Sequence, residues 1–249
     1  MSWTERQQAM LQEMGIRLWV SRVKDAPDGA AVPQPQTQTQ TQTPTAAPLG
    51  PRPGGVEAMD WPALQEAVGG CTACKLCKGR TQTVFGVGNP RAHWMIVGEA
   101  PGEQEDRQGE PFVGKSGQLL DNMLRAVALT RGEAAPAQQV YIANSVKCRP
   151  PGNRNPEPDE LAQCEPFLIR QIALVQPKII LAMGRFAVQS LLRSSEPIGK
   201  LRGRVHHYQG VPLIVTYHPA YLLRNLPDKA RAWDDLCLAL DTVNAVPAS

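Results

Sequence analysis

Four cysteines in this 249-residue sequence are spaced in the way that metal ligands usually are. Cys71 and Cys74 form a Cys-x2-Cys pair in a loop rich in glycine and lysine, and Cys148 and Cys164 follow much later in the chain. Free cysteine is often simply buried, but that role fits a Cys-x2-Cys pair in such a loop poorly. On spacing alone, four thiolates suit zinc and an iron–sulfur cluster equally well. Cys77 extends the first pair, and we treat it as a spare ligand.

A second group of residues that could bind a ligand or take part in catalysis lies in three short motifs. The first reads Gly-Glu-Ala-Pro-Gly from Gly98, the second contains Asn144, and the third is a Tyr-His-Pro sequence around His218. A turn rich in glycine and proline between a strand and a helix presents backbone N–H groups to an anion or a carbonyl oxygen. The first motif lacks the Gly-Lys-Ser/Thr ending of a P-loop, which disfavours an NTPase.

Short apolar runs predict the strands that position these motifs. The predicted strands are residues 94–97, 140–143, 178–182 and 212–216, and the predicted helices are residues 116–129, 159–175, 185–192 and 228–243. Strands that alternate with helices of this length form parallel sheets covered on both faces. We therefore expect a three-layer α/β/α fold with a central, mostly parallel four-stranded sheet. Ligands bind at the carboxyl ends of such strands, where all three motifs lie.

Composition divides the chain into three parts. Residues 1–24 have the pattern of a short amphipathic helix, residues 25–58 are rich in Pro, Gln, Thr and Ala and predict a disordered linker, and residues 59–246 form the globular domain. No segment approaches the roughly 20 apolar residues that span a bilayer, and no secretory signal pattern is present. We expect a cytoplasmic protein without membrane contact, where cysteines serve as metal ligands more readily than as disulfides.

Charge gives a weak indication of the partner. Lys and Arg total 26 against 23 Asp and Glu, so the net charge is +3, which permits a nucleic-acid partner without requiring one.

The cysteine spacing and four motifs, in this order along the chain, closely resemble the family 4 uracil-DNA glycosylases, the iron–sulfur members of their superfamily. The resemblance covers residues 69–241 and rests on Gly98-Glu99-Ala100-Pro101-Gly102, Pro111-Phe112-Val113-Gly114, Asn144-Ser145-Val146-Lys147-Cys148-Arg149-Pro150-Pro151 and His218-Pro219-Ala220-Tyr221-Leu222-Leu223-Arg224. It implies an enzyme that hydrolyses the N-glycosidic bond of flipped-out deoxyuridine in single- or double-stranded DNA and so initiates base excision repair.

The resemblance also selects the cofactor. It implies that Cys71, Cys74, Cys148 and Cys164 hold a [4Fe-4S] cluster in preference to zinc. The alternative function is a catalytically inactive iron–sulfur module of the same fold that binds DNA or senses redox state. The pocket residues argue against that alternative, because an inactive module has no need of them.

The family resemblance implies that the pocket residues bind a base flipped out of the DNA stack. Flipping costs a few kcal/mol, which contacts in the pocket must offset. Phe112 stacks on the uracil, and Asn144 pairs with uracil O4 and N3–H, a pattern that cytosine reverses. His218 donates toward uracil O2, helped by the backbone at Glu99 and Ala100. Charge develops on both the sugar and the departing base, and both need stabilisation.

Activation of the attacking water is less well defined by the motifs. In the best-known uracil glycosylases an aspartate stands where this sequence has Ala100. Our candidates for orienting water or stabilising the cationic sugar are therefore Glu99 and Glu105, and we expect Glu103 and Asp106 to be solvated.

Contacts to DNA are expected on either side of the pocket. Lys147, Arg149 and Arg224 are predicted to face phosphates. The loop that contains Tyr221 and Leu222 resembles the family's wedge, an apolar insertion that fills the space left by a flipped base.

The N-terminal segment carries a separate prediction. Residues 11–22 resemble, over only a dozen positions, the N-terminal peptide of the psi subunit of bacterial replicative clamp loaders. A short apolar helix on a flexible tether suits a docking peptide, so residues 4–22 are predicted to bind the clamp loader. A helix that packs back on its own domain is the alternative. We expect the protein to be a monomer.

Overall fold

The computed structural model describes residues 49–245. The predicted docking helix, the linker up to residue 48 and the last residue of the predicted domain lie outside the described residues. Within that range, no helix is long and apolar enough to cross a membrane.

Between residues 49 and 245, six strands form one mixed sheet in the order β1-β3-β2-β4-β6-β5. Their bounds are Val87–Gly88 (β1), Trp94–Gly98 (β2), Val140–Asn144 (β3), Ile179–Met183 (β4), Val205–Tyr208 (β5) and Val211–Thr216 (β6). The four inner strands pair in parallel, while β1 and β5 pair antiparallel at the two edges. The predicted parallel centre is confirmed, but the predicted count of four strands is wrong because two edge strands extend the sheet.

Eight helices accompany the sheet in the described part of the chain. They are Trp61–Gly69 (α1), Glu103–Gln108 (α2), Lys115–Ala126 (α3), Pro158–Val175 (α4), Arg185–Leu192 (α5), Ile198–Leu201 (α6), Pro219–Leu222 (α7) and Asp228–Ala245 (α8). Local sequence explains several helix starts. Asp60 caps α1 by accepting a hydrogen bond from the N–H of Ala63 at 3.0 Å, and α4 opens on Pro158, whose missing N–H costs nothing at a first helical position.

The inner strands are buried on both faces, which explains their continuous apolar runs. Alternate residues point to opposite sides. On one side, Met95 and Val97 belong to a core that includes the buried faces of α4 and α5. On the other, Trp94 and Ile96 pack in a core with α3 and α8. The three-layer α/β/α prediction is therefore confirmed.

A third, smaller core lies beside the sheet and surrounds the cysteines. It combines Val56, Leu64 and Val68 with Leu76 and Phe167. Val56 begins a 3-10 turn, Val56–Ala58, and is only 3% exposed. The domain therefore starts before residue 59, and the predicted boundary of the linker at residue 58 is wrong, because this turn adds apolar surface to the core.

Candidate active site and cysteine cavity

The three motifs meet at the carboxyl ends of β2, β3 and β6, as predicted. They line a cavity of about 790 Å³. All four predicted uracil-binding residues and the first predicted catalytic carboxylate contribute to its wall: Glu99, Ala100, Phe112, Asn144 and His218. The parallel register brings them together, because it aligns the last residue of β2, Gly98, with the last residue of β3, Asn144.

Gly98 lies directly against two of these side chains, those of Asn144 and Phe112. A Cβ at this position would lie within 2.7 Å of the Phe112 ring and closer still to Oδ1 of Asn144. Only a residue without a side chain allows both groups to approach the strand so closely. Asn144 is 2% exposed, and no hydrogen bond to its amide is formed within residues 49–245, so both of its donors and its acceptor are available to a ligand in the cavity.

Phe112 is held in an unusual backbone conformation. Its φ is 56°, a left-handed value that is uncommon for a bulky residue. Behind it, Gly117 of α3 packs so closely that a Cβ there would collide with the Phe112 carbonyl group. Residues in such conformations persist where their surroundings enforce them, often at functional sites. The close approach of α3 therefore fixes the backbone from which the Phe112 ring projects.

His218 lies beside Phe112 as a neutral imidazole. The two rings are stacked with centroids 5.2 Å apart. Nδ1 of His218 accepts a hydrogen bond from the N–H of Ala220 at 3.1 Å, which leaves the proton on Nε2. Burial lowers the pKa of His218 to about 4, with Glu105 opposing this shift and Arg224 adding to it. The ring is therefore an uncharged donor at neutral pH.

Glu99 lines the same cavity, and its pKa is raised where that of His218 is lowered. Burial raises the pKa of Glu99 to about 7, because the charged form is disfavoured away from water. At neutral pH the group is divided between its two protonation states. A carboxyl group with this pKa is suited to exchange a proton with water.

Unlike Glu99, Glu105 and Asp106 accept hydrogen bonds from backbone N–H groups and so hold loops together. Glu105 is buried, and its oxygens accept hydrogen bonds from the N–H groups of Gly102 at 3.1 Å, Val113 at 3.1 Å and Gly114 at 3.3 Å. It thereby ties the loop before α2 to the loop that carries Phe112. Asp106 is buried too, and both of its oxygens accept from the N–H of Thr81 at 3.0 Å. The expectation that Asp106 is solvated is wrong, since it joins the pocket loop to the cysteine loop.

Two of the predicted DNA contacts are wrong because the side chains point into the protein. Lys147 is 1% exposed, and its ammonium group is bonded inside the domain, so it does not face a phosphate. Leu222 is 1% exposed and packs in the core. Its neighbour Leu223 is 41% exposed, and Leu226 is an exposed leucine as well. The exposed leucines of this segment are therefore Leu223 and Leu226, and Leu222 is not one of them.

The other predicted DNA contacts lie at or near the mouth of the cavity. Tyr221 and Arg224 line it, and Tyr221 also donates to Asp228 at 2.7 Å. Arg149 donates to Asn153 at 2.7 Å. Sequence reasoning missed two further cations on the cavity wall, Arg154 and Arg185. The position of Arg185 at the start of a helix, directly after a strand, was the available signal.

The four predicted ligand cysteines line a second, small cavity together with Cys77. Two sulfurs accept hydrogen bonds. Nη1 of Arg80 donates to Sγ of Cys148 at 3.1 Å, and the N–H of Lys147 donates to Sγ of Cys164 at 3.2 Å. Hydrogen bonds to cysteine sulfurs are among the features that tune iron–sulfur clusters. The donor set and its surroundings therefore fit such a cluster.

Two thiols in this cavity, those of Cys74 and Cys164, have raised pKa values and are hard to ionise unless a metal replaces the proton. Burial is the main cause that raises the pKa of Cys164 to about 12 and that of Cys74 to about 11. Metal binding to such thiols must release their protons.

Comparison with known proteins defines the class of this site. Residues 85–237 match the Uracil DNA glycosylase superfamily. A type-4 uracil-DNA glycosylase of Thermotoga maritima is 43% identical over 170 residues, which cover 68% of this chain and 85% of the relative. One from Sulfurisphaera tokodaii is 44% identical over 170 residues, 65% of this chain and 75% of the relative. A type-5 enzyme of Thermus thermophilus is 32% identical over 150 residues, 49% of this chain and 68% of the relative.

The protein is thus a DNA N-glycosylase of the uracil-DNA glycosylase superfamily. Within it, the chain belongs to the type-4 uracil-DNA glycosylases, and its substrate is uracil-containing DNA.

Gly98→Ala is expected to disable the pocket while leaving the fold intact. The new methyl group must displace the Asn144 amide and the Phe112 ring, both of which are movable side-chain atoms. A displacement of about 1 Å can cost on the order of 100-fold in rate, and we expect a loss of this size in kcat/KM for uracil release from an oligonucleotide. Gly54→Ala is the matched control, because a Cβ there meets nothing within 4 Å. Equal activity of the two variants would contradict the geometry.

Proposed function

We propose that Asn144 reads the uracil edge and that Phe112 supplies the face on which the flipped base stacks. The observation that carries this assignment is a buried carboxamide on the cavity wall that takes no hydrogen bond from the described protein. The amide faces the cavity with its donors and acceptor free of hydrogen-bond partners among residues 49–245, and a ligand that presents one acceptor and one donor at adjacent positions satisfies it. Uracil O4 and N3–H do so, whereas cytosine reverses the donor and the acceptor.

His218 stabilises the departing base. When the N-glycosidic bond breaks, its electron pair stays with the uracil and negative charge develops on O2. The neutral Nε2–H of His218 is directed by the bond that Nδ1 accepts from Ala220, and it donates to that oxygen together with backbone N–H groups near Ala100. Donors placed in advance on a developing anion lower the barrier because they need no reorganisation.

Glu99 acts on the sugar side of the bond. In its ionised form the carboxylate orients a water molecule, takes up its proton and stabilises the positive charge on the sugar. Glu105 serves to position the pocket loops, since its oxygens already accept backbone hydrogen bonds. This division of roles supplies a carboxylate in a motif that has Ala100 where the best-known uracil glycosylases have an aspartate.

The [4Fe-4S] cluster is proposed to be held by Cys71, Cys74, Cys148 and Cys164, with Cys77 as a neighbour. The four sulfurs share one cavity, and two of them accept hydrogen bonds from Arg80 and from the backbone of Lys147, contacts of the kind that tune iron–sulfur clusters. When bound, the cluster supplies a structural cross-link between distant parts of the chain.

Arg149, Arg224 and Tyr221 are proposed to contact the DNA backbone around the cavity, joined by Arg185. Leu223 takes the wedge role that the sequence assigned to Leu222. Cations at the mouth of a pocket position the duplex without reading its sequence. We also propose that the protein acts as a monomer in the cytoplasm.

Asn144→Ala tests the proposed base recognition. We expect excision from an oligonucleotide containing one uracil, assayed by alkaline strand scission, to fall by at least about 100-fold, the scale for losing one oriented contact in a transition state. Asn155→Ala, an exposed residue at the rim of the same cavity, should retain normal activity. Equal cleavage by Asn144→Ala and wild type would overturn the assignment, and no cleavage by cluster-loaded wild type would favour the inactive alternative.

Glu99→Gln tests the carboxylate role through pH. Since the pKa of Glu99 is raised to about 7 and the ionised form is the active one, kcat should rise with pH up to about 8 and fall about tenfold per pH unit below about 6. The Glu99→Gln variant should be slow and lack this slope. Glu110→Gln, an exposed carboxylate before Phe112, should keep the wild-type profile. If the Glu99→Gln variant shows the wild-type slope, another group is titrating.

Cys148→Ser tests the cluster. Purified wild type should contain iron and show broad visible absorption, and the variant should lose both, together with thermal stability, because one ligand of the cross-link is gone. Cys237→Ser on α8, remote from the cysteine cavity, is the matched control and should keep both. A colourless wild type that contains zinc would exclude the cluster.

Residues 4–22 are proposed to dock on the replicative clamp loader. Deletion of residues 1–24 should weaken binding to the purified clamp loader while excision of uracil from short oligonucleotides is unchanged. Trp19→Ser should act like the deletion, because it removes a large apolar side chain, and Gln12→Ser should not. Undiminished binding after the deletion would contradict this proposal.

A further inference from the structure

Lys147 is a fully buried lysine that lies between the base-reading asparagine and the cysteine cavity. It directly precedes Cys148 in the chain, and it is one of the residues that line the cysteine cavity. Its ammonium group donates to the backbone carbonyl of Asn144 at 2.8 Å and to Oε1 of Gln171 at 2.5 Å. Burying a charged group is costly unless hydrogen-bond partners are provided. A lysine at this buried position therefore indicates that its N–H donors are needed by the two acceptors it contacts.

The acceptor on α4 is itself fixed. Nε2 of Gln171 donates to the carbonyl of Phe85 at 2.9 Å and to the hydroxyl of Tyr141 at 3.0 Å. These two bonds determine which end of the amide carries the oxygen, and that oxygen faces Lys147. Since Tyr141 lies on β3 itself, the network connects the strand, its carboxyl end and α4 through side chains that are all buried.

The carbonyl of Asn144 is the point where β3 ends. Beyond it the chain leaves the sheet and runs into Cys148, and the N–H of Lys147 donates to Sγ of Cys164. The peptide group after Asn144 is held from two sides: its N–H, that of Ser145, donates to the carbonyl of Gly98 at 3.0 Å, while its carbonyl accepts from Lys147 at 2.8 Å. Without the lysine only the N–H side would be held, and tilting of the peptide plane about that bond would shift the Asn144 side chain. The ammonium group of Lys147 holds this carbonyl in place.

We propose that Lys147 is a positioning residue for base recognition: it fixes the backbone of Asn144 so that the carboxamide faces the uracil edge. This inference rests on the proposed role of Asn144 and goes beyond it by assigning selectivity to a side chain that never touches the base. Lysine reaches both acceptors at once, whereas methionine of similar length fills the space without donating to either.

Lys147→Met is the direct test, with inhibition by free uracil as the main readout. The inhibition constant does not depend on the fraction of active protein, so it separates positioning from partial unfolding. We expect the constant for free uracil to rise about tenfold, the scale of a lost charged hydrogen bond, with iron content and visible absorption retained. Lys78→Met, an exposed lysine in the cysteine loop, is the matched control and should leave the constant unchanged.

Gln171→Met provides a second variant, which keeps the inference testable even if Lys147→Met yields little folded protein. It removes the acceptor on α4 and keeps the lysine, and a smaller rise in the same constant is expected. Unchanged inhibition constants in both variants, at normal iron content, would overturn the inference.

The Asn144→Ala variant distinguishes this inference from the function on which it rests. If Asn144→Ala binds free uracil as wild type does, the proposed role of Asn144 fails. If Asn144→Ala loses uracil binding and Lys147→Met keeps it, only the positioning role fails. Because Lys147 acts through Asn144, the double variant should bind uracil no more weakly than Asn144→Ala alone, and an additive loss would contradict the coupling.

Discussion

The parallel register of β2 and β3 is the constraint on which the site depends. It sets Gly98 beside Asn144 at the end of two buried strands, and the absence of a side chain at Gly98 lets the carboxamide and the Phe112 ring meet the strand directly. The loop after β6 then brings His218 against Phe112. A shift of one residue would turn every side chain of the strand to the opposite face, so core packing and base recognition require the same register.

Burial changes the pKa values of two residues in this site. The same removal from water lowers the pKa of His218 and raises that of Glu99, and both shifts favour the uncharged form. His218 thereby becomes a neutral donor, and Glu99 titrates near neutral pH. The segment from Asn144 to Cys148 extends from this pocket to the cysteine cavity, so a residue that lines the pocket and a thiol of that cavity are only four positions apart.

Sequence patterns predicted the centre of the fold and most of the pocket, because apolar runs and ordered motifs are local signals. The edge strand β5 alternates exposed and half-buried residues, so it lacks an apolar run. Lys147 resembled a surface residue because its acceptor, Gln171, lies on a helix distant in sequence. The one-turn helix α7 gives no periodicity to decide between Leu222 and Leu223; tertiary packing makes that choice.

Competition by free bases tests the central claim most directly, because it measures recognition in the pocket without the cost of base flipping. The account predicts that free uracil inhibits the cluster-loaded enzyme, that cytosine at the same concentration does not, and that Asn144→Ala removes the difference. Equal inhibition of the wild-type enzyme by uracil and cytosine would contradict it, because selectivity would then arise outside the arrangement that Gly98 and Asn144 create.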